Sequence, residues 1–521
     1  GTTRNYLIVF DVAGSPTNTA EFRAALNSVT YNTAGQKTDL ATSSPSASTY
    51  FVIDTAVPTV SSRLTQDLDA DGKIDAVKMT LSENILDSTL AIANFATNHA
   101  AGYDTTFTGS FGGFTFTSGI ATVTANDTVF YLKLVETSGT CTSSDASGCD
   151  TDEASTVTYT AGSLTDHAGN SLATNGPTAA TDSAAPIPMY AKYKDVISTN
   201  GQVDRVDITF SENIVSDGYN AVDHDADYTI ATAGTITLAD ETAVATSSDD
   251  LQLTALGAAN LTGGATDPQI TYTNAFVEGS RGINDAAGNA VATFTITATD
   301  SAAPYFSAAS YKDTNTNGQI DAVDITFTET ILLDEYDDLD WAVTVAGNVN
   351  LLDETTAATT SLTILRLSAL GDANKTGKDA GADPTMTYTA ANGTANSLHD
   401  AANNNTGNLT FADATDLAVP QIVSSTGSDS DNDGKTNTYV ITFSENLTDK
   451  GAAAANANFT ARNATTTNAI TVSTVAIGVT AGGAANKATL NLDDTDTDNY
   501  TGAIEFTYNG GGGGAVIEDA S

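Results

Sequence analysis

The chain has 521 residues, 64 acidic and 19 basic, and a formal net charge of -45. So strong an anionic field argues against nucleic acid and anionic membrane as partners and favours multivalent cations or a very soluble exterior. Apolar residues make up 40% of the chain, which excludes general disorder, and no stretch reaches the roughly 20 apolar residues of a membrane span.

Residues 1–57 read as the end of a repeat unit, with strands at 6–10, 28–31 and 49–53. Tyr31 precedes Pro58 by the same interval as Tyr159 precedes Pro186. The connector Asp54-Thr-Ala-Val-Pro58 follows. It recurs as Asp182-Ser-Ala-Ala-Pro186, Asp300-Ser-Ala-Ala-Pro304 and Asp416-Leu-Ala-Val-Pro420. Proline fixes φ and cannot extend a central ladder, so it suits a boundary. A link this short has little slack, so successive units should touch end to end.

These boundaries give three complete units, 58–185, 186–303 and 304–419. A carboxy-terminal unit, 420–521, lacks its last strand, and the piece 1–57 supplies only the last three. Ile517-Glu-Asp-Ala-Ser521 stops inside a motif that is complete as Asn284-Asp-Ala-Ala-Gly-Asn289. The chain therefore reads as a mature or processed piece of a longer repeat protein. Open sheet edges at such ends would also let copies self-associate by strand complementation into a filament.

Within each unit a short strand leads into an oxygen-rich turn at Gly72, Gly201, Gly318 or Gly434. An alternating strand follows. Met79, Ile208, Ile325 and Ile441 stand at one common spacing behind the glycines, then Leu81, Phe210, Phe327 and Phe443, then Glu83, Glu212, Glu329 and Glu445. Inner spacing that holds while outer spacing drifts marks a structural repeat with variable loops. Later strands read at 129–134, 250–253 and 362–367, and at 270–273 and 386–389. An Asp-Ala-Ala-Gly-Asn loop and a final strand, such as 292–296, close the unit. About seven short strands without a convincing helix describe an all-β chain of tandem β-sandwiches.

The turn Asp67-Leu-Asp-Ala-Asp-Gly-Lys-Ile-Asp75 sets carboxylates at alternate positions. Calcium takes six to eight oxygens at about 2.3–2.6 Å. Asp67, Asp69, Asp71, the Lys73 carbonyl and the Asp75 side chain would supply them. The third unit offers Asp313, Asn315, Asn317 and Asp321, and the fourth Asp429, Asp431, Asp433 and Asn437. The second is degraded: Ser198, Asn200 and Asp204 keep the register, and Asp195 sits one residue early. An ordinary solvated hairpin turn also carries Asn-Gly or Asp-Gly, and for the second unit both readings stay open.

In a seven-strand sandwich the turn between the first two strands faces the next unit. The loops after the second and sixth strands lie at the opposite end. Acidic groups should therefore converge at each junction. Asp182, Glu212 and Asp285 form one expected calcium site, and Asp300, Glu329 and Asp400 another. The alternative is that Glu212 and its equivalents only accept bonds from neighbouring backbone amides.

Cys141 and Cys149 are the two cysteines, and a disulfide between them would close a small loop in an oxidising compartment. Free thiols or weak metal ligands are the alternative. Catalysis has little support. His99, His167, His224 and His399 lie far apart, and His167 and His399 read as solvated loop residues. Asp223-His-Asp-Ala-Asp227 reads as an exposed turn rather than a metal site, glycines 510–514 as a flexible loop and Trp341 as core rather than a ligand platform. There is no nucleophile elbow, HExxH or phosphate loop, so no enzyme is expected.

Ile325-Thr-Phe-Thr-Glu329, Phe210-Ser-Glu-Asn-Ile214, the Asp-Ala-Ala-Gly-Asn loop and the Asp-Ser-Ala-Ala-Pro linkers resemble bacterial immunoglobulin-like repeats. Such repeats occur in giant surface adhesins, S-layer proteins and related exported proteins. The resemblance covers nearly the whole chain and is specific for module type but weak for role. It implies immunoglobulin-like sandwiches, an extracellular or cell-surface location of prokaryotic type, and frequent calcium binding. The functional expectation is a calcium-stiffened rod serving as stalk, filament or surface lattice. The alternatives are an adhesin with a glycan or protein ligand, and the non-catalytic array of a larger secreted enzyme.

Overall fold

The computed structural model describes residues 20–22, 51–136, 149–215, 228–231, 243–247, 249–254, 267–274, 283–318, 322–332, 340–344, 350–351, 356–361, 363–368, 385–390, 398–411, 414–449, 459–477, 485–493, 503–508 and 517–519. Residues 6–10, 28–31 and 510–514, Cys141, Asp223-His-Asp-Ala-Asp227 and Asp321, all singled out above, lie outside them.

The wiring is clearest in unit 186–303. Pro188–Lys194 pairs antiparallel with Arg205–Phe210, then Asp250–Thr254, then Ala243–Ser247. A second ladder joins Tyr228–Ala231, Gln269–Tyr272 and Phe294–Asp300. The last of these runs parallel to the opening strand, with Ala191 opposite Ala298. Alternation drives the packing. In Pro188–Lys194 every second residue is buried, namely Met189, Ala191 and Tyr193. Tyr193, Val206, Ile208 and Leu251 of the first ladder share one core with Tyr228, Ile270 and Tyr272 of the second. Four strands facing three is the immunoglobulin arrangement.

The other units repeat it. In 304–419 the order is Phe306–Lys312, Ala322–Phe327, Ile364–Ser368 and Thr356–Ser361, against Trp341–Thr344, Thr385–Tyr388 and Leu409–Phe411. Trp341 is core, stacked on Phe306 with ring centroids 5.6 Å apart. In 58–185, Val60–Gln66, Ala76–Leu81 and Val129–Lys133 face Phe95–Thr97, Thr156–Tyr159 and Asn175–Ala179. In 420–521, Ile422–Ser428, Thr438–Phe443, Lys487–Leu492 and Val472–Ile477 face Phe459–Asn463 and Ile504–Tyr508. Phe51–Ile53 pairs with Ala20–Phe22. Among the described residues there is no α-helix, and no helix is long and apolar enough to cross a membrane.

Unit 58–185 carries an addition. Gly109–Phe111, Phe114–Thr117 and Ile120–Thr122 extend its first sheet to six strands. They lay Phe107, Phe111, Phe114 and Phe116 over Ala76, Ala121 and Tyr131 as a second small core. His399 corrects the solvated reading: it is 4% exposed, because its backbone pairs with both Leu332 and Asn405. His167 is exposed, as expected.

Candidate metal centres at turns and junctions

The four glycine turns share one backbone. Gly72, Gly201, Gly318 and Gly434 have φ between 83° and 90°, and the residue two before each is also left-handed. Those residues are Ala70, Thr199, Thr316 and Asn432, with φ of 62°, 41°, 58° and 63°. A non-glycine residue there is strained, and aspartate caps hold it. Asp67 accepts from the Ala70 and Gly72 amides at 2.7 and 3.0 Å. Asp313 accepts from Gly318 at 2.7 Å, and Asp429 from Gly434 at 2.9 Å. Asp195, one residue early in sequence, does the same work in the degraded turn, accepting from Gly201 at 2.6 Å.

Asp67, Asp69 and Asp71 bring carboxylate oxygens within 4.8 Å of one another, and so do Asp429, Asp431 and Asp433. Burial, then the charges of Asp71 and Asp69, raises the Asp67 carboxyl above its ordinary range. In the third unit Asn315 and Asn317 replace two of the carboxylates. The position three after the glycine accepts hydrogen bonds from amides of its own turn. Asp75 accepts from the Leu68 amide, Asp204 from Val196, Ile197 and Ser198, and Asn437 from Ser430. Asp75 also receives Lys133 Nζ at 3.2 Å, and burial pushes its carboxyl up to about 7. The backbone of Lys73 forms an isolated bridge with Asp150.

At the junctions three elements converge. The connector aspartate folds back on its own linker. Asp54, Asp182, Asp300 and Asp416 each accept, through Oδ1, from the amide two residues on, at 3.0, 3.0, 2.9 and 2.8 Å. The second carboxylate is the glutamate just after the second strand. The third comes from the Asp-Ala-Ala loop and is held by asparagine: Asn170, Asn289 and Asn404 each donate backbone and side-chain N–H to Asp166, Asp285 and Asp400. Asp182, Glu212 and Asp285 come within 4.8 Å, as do Asp300, Glu329 and Asp400. So do Asp54, Glu83 and Asp166, a set the sequence reading did not name although the same motifs carry it. The backbone pairing that seats two of these groups sets Ile85 opposite Asp166 and Ile214 opposite Asp285.

Crowding shows in the protonation. Burial, and then the charges of Asp182, Asp285 and Asp152, pushes Glu212 up to about 8, against a hydrogen bond from Thr151. Burial also pushes Asp182 and Asp300 up to about 6, with Asp285 and Asp400 adding to it. Burial, then Asp54 and Asp166, raises Glu83. Asp166 goes the other way: burial would raise it, but Asn170 and the loop amides hold it below the ordinary range.

The turns also reach the next unit. A Cβ on Gly201 would lie 2.7 Å from Thr328 Cγ2, and one on Gly318 would lie 3.2 Å from Val423. Asn289 Nδ2 donates to Asp182 across the boundary at 3.3 Å. Cys149 is disulfide-bonded, and it precedes a segment that touches the following unit: Thr151 contacts Ser211 and Glu212. His99 is no ligand to these clusters. Its ring nitrogens meet Glu153 at 2.8 Å and the Val135 carbonyl at 2.8 Å.

The pairings define an all-β chain of tandem immunoglobulin-like sandwiches with carboxylate clusters at turns and junctions. No protein family and no curated protein matches it by sequence. Among solved structures it is similar to surface layer protein SbsC domains 1–6, at 12% identity over 89% of this chain and 54% of that one, with a TM-score of 0.16. The chain thus spans about half of that S-layer structure. It is also similar to the I9–I11 tandem from titin (10% identity, 69% and 98% covered, TM-score 0.16) and to the human desmocollin-1 ectodomain (12%, 91% and 81%, TM-score 0.16). At these values the likeness carries no weight for function, and the fold reading stands on the strand pairings.

Proposed function

We propose that the chain is a structural, non-catalytic repeat protein of the cell surface or extracellular space. Its sandwiches form a row whose junctions and turns bind calcium and resist bending, as a stalk, filament or surface lattice requires. What supports this is one repeated arrangement: a connector aspartate, a strand-end glutamate and a loop aspartate meet at three successive junctions.

The donor set suits calcium, since it is all oxygen and anionic. Among the described residues, no lysine or arginine forms an ion pair with Asp54, Glu83, Asp166, Asp182, Glu212 or Asp285. At 4.8 Å and an effective dielectric of ~20, each pair of ionised groups repels by roughly 3 kcal/mol before screening. A divalent cation removes that repulsion. Asp182 belongs to one unit while Glu212 and Asp285 belong to the next, so the ion would tie the two together. With Kd near ~10⁻⁴ M and calcium near ~1 mM, each site adds about 1.4 kcal/mol. Asp67, Asp69 and Asp71, and Asp429, Asp431 and Asp433, would bind further ions at the turns.

Calorimetric calcium titration of the full chain, with small-angle scattering before and after EGTA, tests this. The expected result is saturable binding and a molecule that becomes more compliant in chelator. No binding heat, with shape and melting temperature unchanged by EGTA, would rule the reading out.

A further inference from the structure

In unit 58–185 the register sets Lys133 opposite Ala76 and so beside Asp75, 58 residues away in sequence. Lys133 Nζ stands 3.2 Å from Asp75 Oδ1, 3.1 Å from Glu136 Oε1 and 3.8 Å from the Phe111 ring centre. The one ammonium therefore touches both carboxyls. The Lys133 side chain is 4% exposed and that of Asp75 0%. The added hairpin roofs the site. Its tip, Gly112, packs against Leu68, and its phenylalanines cover the sheet face that carries Lys133.

An ion pair enclosed in this way gains little, because desolvation offsets the Coulomb attraction. An amine and a carboxyl held in contact away from water are instead arranged for condensation. Fixed geometry of this kind supplies effective concentrations of about 10⁵–10⁸ M. We propose that Lys133 and Asp75 join in a self-formed side-chain amide, an isopeptide cross-link between neighbouring strands, with Glu136 moving the protons.

The step balances. The Lys133 ammonium gives a proton to the Glu136 carboxylate, and the freed Nζ attacks Asp75 Cγ. The Leu68 amide, 2.7 Å from Asp75 Oδ2, holds the charge that develops there. The Nζ–Cγ bond forms and the Cγ–Oδ1 bond breaks. Oδ1 leaves as water with two protons from Nζ, carried by Glu136. No oxidant or reductant is needed.

Two other units provide controls. Lys194 lies 2.7 Å from Asp207 and Lys312 lies 2.6 Å from Asp324, but these lysine side chains are 25% and 31% exposed. Arg205 or Arg366 also pairs with each carboxylate. Those pairs stay ionic.

Mass spectrometry of the full chain, reduced and unfolded, tests the proposal. The expected mass is one water below that of the sequence, and digestion yields a branched peptide joining the Asp75 and Lys133 segments. An unshifted mass, with Lys133 taking an amine-specific label as readily as Lys194 and Lys312, overturns it. Glu136→Gln keeps the size and hydrogen bonding of Glu136, and the expected product lacks the water loss. A cross-link that forms undiminished in that variant removes the role of Glu136.

Discussion

Thr151 donates its hydroxyl to Glu212 Oε1 at 2.5 Å, across the boundary between the first two complete units. The same hydroxyl lies 2.7 Å from Ser211 Oγ. A disulfide-anchored loop of one sandwich thus seats on the acidic corner of the next. Thr151→Val keeps the shape and removes the donor. It should cost about 1–2 kcal/mol, the usual penalty for a buried acceptor that loses its partner. It should also move the Glu212 carboxyl further up, since that hydrogen bond is what opposes burial there. Urea unfolding and a carboxyl NMR titration read the two effects.

Glu212, Asp182 and Asp300 all hold their protons longer in the folded chain than in the unfolded one. The unfolded carboxyls ionise near 3.8 to 4.5, and the folded ones near 6 to 8. Between those limits the unfolded state binds fewer protons, so stability falls as pH rises. In EGTA, the melting temperature should drop steadily from about pH 4.5 to about pH 8. Calcium competes with the same protons, so saturating calcium should flatten or reverse the slope. A calorimetric pH series with and without chelator checks it, and a rise through that window in EGTA would contradict it.

The three junction glutamates should be separable. Glu83→Gln, Glu212→Gln and Glu329→Gln each remove one carboxylate from one cluster. Each should lower the calorimetric calcium stoichiometry by one and leave the other sites near their original affinity. Loss of all binding from a single substitution would mean the clusters are not independent.

Gly201→Ala and Gly434→Ala make a matched pair. Both glycines are left-handed, with φ of 83° and 89°, so each alanine costs about 1 kcal/mol in backbone strain. Only at Gly201 does the new Cβ also strike the next unit, 2.7 Å from Thr328 and 3.1 Å from Tyr305. Gly201→Ala should therefore lose more stability and speed amide exchange around Thr328. Gly434→Ala should show the backbone cost alone.

Much of the architecture was legible because the repeat writes it four times. Glycine, strand and glutamate keep their intervals, so Glu212 and Glu329 could be placed at strand ends. Strand direction alone then brought them to Asp285 and Asp400. What escaped reading depends on pairings between distant residues. Lys133 meets Asp75 only through the register of Ala76 with Lys133. The hairpin over that pair is built from strands of three or four residues, too short to declare a period. His399 looks solvated in a polar loop, yet backbone pairing on both sides encloses it. Asp195 stands one residue early in sequence, and its side chain spans the longer turn to the same amide.

The residues that meet at each seam sit on strand ends and on a connector with one fixed bend, and the added hairpin of unit 58–185 extends a sheet edge. A module can therefore be copied, or can swell as the hairpin of Phe111 and Phe114 has done, without altering the face it offers its neighbours. Duplication of such a segment would yield seams that already fit, so the number of modules could change over evolutionary time with no joint having to be reinvented.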